Sequence, residues 1–195
     1  MVCYNNSQCI SGFVSGCVPG KYSCINLNNQ LVGNSKHETK GVYMDIYEKL
    51  KELDIELPTL PAPMGIYKPV KQAGNLLYVS GQGPVIDGVP VVCGKVDSER
   101  TIEEGQYAAR LCALNALSIL HNFLGDLNKV KSVVKVLGFV ASAPGFNGQP
   151  EVVNGASRLL ADVFGEENGI GARSAIGTNE LPSGISVEIE FIFEI

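Results

Sequence analysis

The chain has 195 residues, of which 45% are hydrophobic and 18% are charged, and this length and composition indicate one globular domain. Its net charge is −5 at pH 7, and because Lys21, Lys36 and Lys40 stand against Glu38 in residues 1–43, residues 44–195 carry −7. So acidic a domain lacks the basic surface that binds nucleic-acid phosphates, and no stretch has the roughly 20 apolar residues of a membrane-spanning helix. We therefore expect neither a nucleic acid nor a membrane as a partner.

Residues 1–43 are rich in Asn, Ser, Gly and Cys and have no helical or strand periodicity, which predicts disorder. Four of the six cysteines lie here, at spacings that match no zinc site: Cys3, Cys9, Cys17 and Cys24. A secretion signal would have a positively charged segment followed by an apolar stretch, and this sequence has none. We expect a reduced, cytoplasmic protein that starts at Met44, with residues 1–43 as a disordered or spurious extension.

The first predicted element is a short amphipathic helix at residues 44–53, in which Ile46, Leu50 and Leu53 recur at helical spacing. Three prolines follow and favour an extended linker: Pro58, Pro61 and Pro63. Residues 44–58 are therefore predicted to be a helix and linker, and residues 59–195 the main domain.

That domain is predicted to begin with two strands, at residues 67–70 and 76–80, separated by a turn at Gly74 and Asn75. The sequence Gly-Gln-Gly-Pro at residues 81–84 ends the second strand. Valines between residues 89 and 92 predict a further strand after it.

Two helices are predicted on either side of a central strand. The first runs from a capping box at Thr101 to Gly125, with Cys112 as a small core residue. The strand covers residues 130–140, which are rich in valine. The second helix runs from Pro150 to Gly165, and its apolar residues share one face.

The last two strands are predicted at residues 172–178 and 185–195, around a turn at residues 181–184. In the second strand apolar residues alternate with polar ones, so that one face is apolar and the other largely acidic. Strands, helix, strand, helix and strands in this order indicate an α+β fold with helices on one face of a sheet. If the last two strands pair with Arg173 opposite Glu190, Arg173 and Glu188 share a face.

Arg173 and Glu188 are the candidate chemical pair. A guanidinium grips a substrate carboxylate, and a neighbouring carboxylate holds and polarises a water; the alternative is a structural salt bridge on the polar face. Only His37 and His121 are present, too few for a histidine metal site or a credible Ser-His triad, and no nucleotide-binding glycine motif occurs. We therefore expect no metal and no cofactor.

Short motifs occur in order along residues 59–195. They are Tyr67, Ser80-Gly81-Gln82, Asn154, Ala172-Arg173-Ser174, Leu181-Pro182 and Val187-Glu188-Ile189-Glu190. Together they resemble the signature of the reactive-intermediate deaminase family, also called RidA or YjgF. The N-terminal helix indicates a divergent subgroup of it.

The resemblance implies a chorismate-mutase-like α+β fold with two helices on one face, and a homotrimeric barrel with ligand clefts between subunits. It implies hydrolysis of reactive 2-imino or enamine acids to 2-keto acids and ammonia. Arg173 would bind the substrate carboxylate, and Glu188 would orient or activate the water. Five further positions would bind substrate: Tyr67, Ser80, Gly81, Asn154 and, through its backbone, Ala175.

Each assignment has an alternative. Tyr67 and Ser80 could simply be the residues that end strands. Asn154 could be a helix cap or a side chain that faces solvent. Archetypal members of the family carry a cysteine where this chain has Ala175; water is the nucleophile in the expected hydrolysis, so this change is compatible with activity. Two other functions stay open: a non-catalytic binder of small carboxylates and an endoribonuclease, against which the acidic charge argues.

Overall fold

The computed structural model describes residues 45–59 and 65–195, and the prediction for residues 1–43, including the start at Met44, lies outside them. The α-helices of the described residues are Ile46–Glu52 (α1), Ile102–Leu124 (α2) and Gln149–Gly169 (α3). The strands are Val70–Ala73 (β1), Leu76–Gln82 (β2), Val85–Ile86 (β3), Val89–Pro90 (β4), Ser132–Ala141 (β5), Ala172–Thr178 (β6) and Val187–Glu194 (β7). None of the helices in these ranges is both long and apolar enough to cross a membrane.

The main sheet has five strands in the order β1-β2-β7-β5-β6, and β3 and β4 form a separate hairpin. All neighbours in the main sheet are antiparallel except β5 and β6, which are parallel. The predicted pairing of the last two strands is therefore wrong, because β5 lies between β6 and β7. The reason is α3, which crosses over between β5 and β6 and returns the chain in the same direction, as a parallel pair requires.

The last strand shows the predicted alternation. In β7 the side chains of Val187, Ile189, Phe191 and Phe193 are buried, whereas the intervening residues are at least partly exposed. The buried face packs under α2 and α3, which supply most of the remaining core: Ala108, Cys112, Ala116, Leu120, Val152, Ala156, Leu159 and Leu160. The opposite face of the sheet, called the open face below, carries no helix among the described residues. The predicted α+β architecture with helices on one face is confirmed.

The ends of the two long helices follow the local sequence. Thr101 and Glu104 form the predicted capping box of α2, and Gly125 ends the helix in a left-handed conformation with φ of 72°. In α3 the backbone leaves helical geometry at Gly165, the predicted end, with φ of 79° and ψ of 160°. Helical geometry then resumes as far as Gly169.

The first strand of the main sheet starts later than predicted, at Val70 instead of residue 67. Pro69 has no amide hydrogen to donate to a ladder, so regular pairing begins after it. The further strand expected at residues 89–92 is β4, which is shorter, at Val89–Pro90, and pairs with the unpredicted strand β3 in a hairpin. Its turn residues Asp87 and Gly88 both have positive φ, 50° and 80°, as a type I′ turn requires.

Helix α1 packs beside the end of α2, the turn that follows it, and α3. The hydroxyl of Tyr47 lies 2.8 Å from His121 Nδ1 and accepts a 2.9 Å hydrogen bond from the amide of Leu127. The amide of Ile46 donates to Asn128 Oδ1 at 2.9 Å. These contacts fix α1 on the domain.

Candidate active site

One group of predicted residues surrounds Glu188, where strand β2 ends against β7. The register between these strands shifts between Val79 and Gln82, so Ser80 and Gly81 have no directly paired residue in β7. A cavity of about 740 Å³ lies at this irregularity, beside the Glu188 side chain. Four of the predicted site residues line this cavity, called the Glu188 pocket below: Tyr67, Ser80, Gly81 and Glu188.

Gly81 is the residue that lets the Glu188 carboxylate enter the pocket. A Cβ atom at position 81 would overlap Glu188 Oε1 and lie 2.8 Å from Cδ, closer than non-bonded carbon atoms approach. Any residue with a side chain at position 81 would therefore force the carboxylate or the strand to move. The close approach of backbone to carboxylate explains the glycine in physical terms.

Ser80 holds the segment that carries Tyr67. Its hydroxyl donates a 2.8 Å hydrogen bond to the carbonyl of Lys68, and its amide donates to the carbonyl of Pro69 at 3.0 Å. Tyr67 itself is 53% exposed and faces the pocket without a core contact. Ser80 therefore has a structural role in shaping the pocket, and Tyr67 is left available to a ligand.

The Glu188 carboxyl lies in a partly desolvated position. Burial raises its pKa, and the negative charge of Glu190 two residues away raises it further. No Lys, Arg or His forms an ion pair with Glu188 within the described ranges. A carboxyl group with these properties is suited to exchange a proton with a water or substrate in the pocket.

The second group of predicted residues surrounds Arg173 on strand β6. Arg173 Nη1 donates a 2.7 Å hydrogen bond to Asn154 Oδ1 and a 3.1 Å hydrogen bond to Ser157 Oγ, both on α3. Asn154 lies off the apolar stripe of α3, as predicted, and is neither a cap nor free in solvent. Ser157 was missed by the sequence analysis; the available signal was its position three residues after Asn154, on the same helical face.

These two hydrogen bonds determine which edge of the guanidinium faces a ligand. Arginine has five N–H donors, and the two on Nη1 are taken by Asn154 and Ser157. The N–H groups of Nε and Nη2 have no partner among the residues that the structure describes. They form the planar fork that binds a carboxylate through two parallel hydrogen bonds.

The Arg173 group and the Glu188 pocket lie on opposite faces of the sheet in one protomer. Arg173 pairs with Val136, which is buried beneath the helices, and Ala175 pairs with Gly138 on that same helix-covered face. Glu188 pairs with Phe139 on the open face. The prediction that Arg173 and Glu188 share a face is therefore wrong, because it assumed direct pairing of β6 with β7. The alternative, a salt bridge between Arg173 and Glu188, is also absent from the described residues.

Comparison with known proteins identifies the family. The sequence model of the family described as "YjgF/chorismate_mutase-like, putative endoribonuclease" matches residues 48–193, most of the chain. The chain belongs to the YjgF/RidA family. A relative from Dermatophagoides farinae, named 2-iminobutanoate/2-iminopropanoate deaminase, is 30% identical over 142 residues, which are 72% of this chain and 94% of the relative.

Two further similar proteins have names that assign no activity. Protein TCP17 of Trypanosoma cruzi is 44% identical over 146 residues, which are 75% of this chain and 91% of that protein. The crystal structure of a protein of unknown function from Agrobacterium tumefaciens is 46% identical, with a TM-score of 0.71 over 77% of this chain and 92% of its own. The chorismate-mutase-like fold expected for this YjgF/RidA chain is confirmed.

The described residues also bear on metal chemistry. No three of their His, Cys, Asp and Glu side chains come together as potential metal ligands. Cys112, the predicted core cysteine, is fully buried, and burial raises the pKa of its thiol well above the usual range. Its thiol donates to the carbonyl of Val187 at 3.7 Å. In this YjgF/RidA protein Cys112 is therefore a packing residue beneath the strand that carries Glu188.

Proposed function

We propose that this protein hydrolyses reactive 2-imino and enamine acids to 2-keto acids and ammonia, without a cofactor. The observation that supports the proposal is the guanidinium of Arg173, which is held by Asn154 and Ser157 through Nη1 and whose Nε and Nη2 groups, the pair that binds a carboxylate, have no partner among the described residues. The Glu188 carboxyl, which has no ion-pair partner among the described residues, supplies the second element, a group that orients water in its pocket. A relative named 2-iminobutanoate/2-iminopropanoate deaminase supports the same reaction class.

The catalytic unit in this proposal is a homotrimer. Arg173 and Glu188 lie on opposite faces of one protomer, so a substrate that contacts both needs Arg173 from one chain and Glu188 from the next. The open face of the sheet has exposed apolar side chains suited to a subunit contact: Tyr78, 44% exposed, and Ile176, 48% exposed. A trimeric barrel built on this face would bring the two halves of each site together.

The proposed chemistry is a hydrolysis in two stages. Glu188 accepts a proton from a water as the water oxygen bonds to C2 of the imine, and the imine nitrogen takes up a proton from solvent. Glu188 then returns its proton to the amino nitrogen of the resulting carbinolamine, so that the C–N bond breaks and ammonia departs. The C2 hydroxyl releases its proton to solvent as the keto acid forms. Arg173 holds the carboxylate throughout, and the backbone near Ala175 contacts the nitrogen. The imine carbon is already electrophilic, so positioning and one proton acceptor suffice.

The test is an assay of ammonia and keto-acid release. Arg173→Ala is expected to lower kcat/KM by about 100-fold or more, because two charge-assisted hydrogen bonds to the carboxylate are lost. Arg173→Lys keeps the charge but not the fork and is expected to fall between Arg173→Ala and the unchanged protein. Arg158→Ala is the matched control, an exposed arginine of α3 with one long contact, 3.5 Å, to Gln106. Full activity of Arg173→Ala would reject the arginine role.

A non-catalytic binder of small carboxylates would use the same Arg173 fork. Calorimetry with a 2-keto acid separates this function from the deaminase: binding that Arg173→Ala abolishes, in a preparation that releases no ammonia from any imine, favours the binder. The family description also includes an endoribonuclease. The net charge of −5 argues against it, and RNA cleavage that persists in Arg173→Ala after high-salt purification would favour it.

A further inference from the structure

The Glu188 pocket has a second end that the proposed chemistry leaves unused. Beyond Gly81 the pocket continues past the end of β2, where its walls come from the β3–β4 hairpin, α2 and the segment before β7. The polar residues Asn115 and Ser183 lie beside the five apolar side chains that line this end: Val85, Pro90, Ile119, Pro182 and Ile185. The pocket is therefore polar around the carboxylate and predominantly apolar at the other end.

A buried asparagine holds the wall of the apolar end in place. Asn115 is only 2% exposed, and its Nδ2 donates to the carbonyls of Gly83 at 2.9 Å and Val85 at 3.0 Å. Ile119 lies one helical turn further along α2 and therefore on the same face as Asn115. The hydrogen bonds connect the hairpin to the helix, so the space between Val85 and Ile119 is a built feature of the fold.

Gly83 sets the position of the opposite wall. A Cβ atom at position 83 would lie 2.7 Å from Ile185 Cδ1, so the glycine allows the Ile185 side chain to pack directly on the backbone of this turn. Gly81, which contacts Glu188, and Gly83, which contacts Ile185, are two residues apart, a span of up to about 7 Å. The apolar end thus begins within one side-chain length of the Glu188 carboxylate.

We propose that this apolar end is a subsite for the side chain of the substrate, and that it makes the protein prefer 2-imino acids with a branched or aromatic side chain. The inference rests on the proposed function. The methyl group of 2-iminopropanoate extends about 1.5 Å from C2 and does not cross the span to Ile119 and Ile185. An isobutyl or benzyl group extends far enough to contact them and to displace water from apolar surface.

The size of the preference follows from the number of added carbon atoms. In apolar pockets one added methylene changes kcat/KM by about tenfold or more. The imine derived from leucine carries three more side-chain carbons than the imine derived from alanine. We expect kcat/KM for the leucine and phenylalanine imines to exceed that for 2-iminopropanoate by at least about tenfold.

The experiment uses the full-length protein and three imines, generated in the assay from L-alanine, L-leucine and L-phenylalanine by a flavin amino-acid oxidase. Release of keto acid is measured against trapping of the imine by semicarbazide. Ile119→Phe narrows the subsite and is expected to lower the leucine-to-alanine ratio of kcat/KM at least about fivefold. Val85→Phe narrows it from the other wall. Ile86→Phe is the matched control, on the next residue of the hairpin and 38% exposed outside the pocket.

The outcomes separate the subsite from the proposed function. Turnover of none of the three imines overturns the proposed function and the subsite with it. Turnover of 2-iminopropanoate as fast as the larger imines by the unaltered protein overturns the subsite and leaves the deaminase in place. An equal loss of kcat/KM for all three imines in both Ile119→Phe and Val85→Phe also overturns the subsite, because a specific subsite changes the leucine-to-alanine ratio of kcat/KM. A ratio that falls in both variants and stays constant in Ile86→Phe supports the subsite.

Discussion

Arg173 Nη1 lies 2.7 Å from Asn154 Oδ1, and this contact joins the edge strand of the sheet to helix α3. Ser157 Oγ accepts a second hydrogen bond from the same nitrogen at 3.1 Å. The side chain of Arg173 is long and exposed, so without these acceptors it would sample many rotamers. The α3 side chains therefore determine the direction of the guanidinium before any ligand arrives.

The first prediction concerns this pre-positioning. Asn154→Ala removes one acceptor, and we expect KM for the imine to rise about tenfold with a smaller change in kcat, because the carboxylate must then order the guanidinium itself. Asn154→Asp keeps an acceptor but adds a negative charge that opposes the substrate carboxylate, so it is expected to raise KM further. Asn168→Ala, an exposed asparagine of the same helix, is the control. Unchanged KM in Asn154→Ala and Asn154→Asp would contradict the role.

The second prediction concerns the division of the site between chains. Arg173→Ala and Glu188→Gln are each expected to keep only a low residual activity. A trimer that contains both variants has one site with an intact Arg173 from one chain and an intact Glu188 from its neighbour. Random mixing of equal amounts by co-refolding should restore about one quarter of the activity of the unaltered protein.

Its control is each variant refolded alone, which should stay at its low residual activity. No recovery in the mixture, with mixed trimers verified by native mass spectrometry, would mean that Arg173 and Glu188 of one chain serve the same site. Light scattering of the unaltered protein checks the stoichiometry independently, and a monomer would contradict the proposal at its base.

The parts of the site that were predictable from sequence depend on local order. Residues alternate between faces along a strand, so the pattern of β7 alone places Glu188 on the polar face. The caps of α2 are likewise set by the residues at its ends, Thr101 and Gly125. These features need no knowledge of which elements become neighbours.

The parts that sequence did not reveal depend on contacts between distant elements. The insertion of β5 between β6 and β7 follows from the crossover through α3, and the pattern of β6 and β7 contains no record of it. The position of Ser157 three residues after Asn154 was a weak signal, because a serine on the polar face of a helix is common, and its contact with Arg173 forms only because β6 lies beside α3. The separation of Arg173 from Glu188 has the same origin.

The third prediction tests the approach of Gly81 to Glu188. Gly81→Ala places a methyl group where Glu188 Oε1 lies, so kcat is expected to fall about tenfold or more as the carboxylate moves away from the water. In the Glu188→Gln background the same substitution should change the residual rate little, because the group through which it acts is already disabled. If the losses in kcat from the two single substitutions multiply in the double variant, Gly81→Ala acts by disturbing the fold and not by moving the Glu188 carboxylate.

The fourth prediction is the pH dependence of the reaction. Glu188 must be ionised to accept a proton, and burial followed by the charge of Glu190 raises its pKa above the ordinary 4.5, so kcat/KM should fall with decreasing pH at a higher pH than for an ordinary glutamate. Glu190→Gln removes the second cause, and the acid limb of the profile should then move to lower pH. Glu48→Gln on α1 removes the same charge at a distance and serves as the control. An acid limb that moves to higher pH in Glu190→Gln would contradict the assignment of this limb to Glu188.

The fifth prediction concerns the N-terminal helix. The Tyr47 hydroxyl accepts a hydrogen bond from the amide of Leu127 at 2.9 Å and shares a second hydrogen bond of 2.8 Å with His121 Nδ1, whose direction depends on the tautomer of the imidazole. Tyr47→Phe leaves both partners unsatisfied in a partly buried contact, at a cost of about 1–2 kcal/mol in the free energy of unfolding. The expected decrease in Tm is about 2–8 °C for a domain of this size.

Tyr107→Phe is the matched control for this measurement, because Tyr107 is a tyrosine of α2 that is 50% exposed and whose hydroxyl makes no hydrogen bond among the described residues. Differential scanning calorimetry of both variants distinguishes the lost hydrogen bonds from any general effect of removing a hydroxyl. An equal Tm for Tyr47→Phe and the unaltered protein would show that α1 does not depend on this contact. Because α1 lies away from Glu188 and Arg173, kcat/KM at low temperature should be the same in both variants.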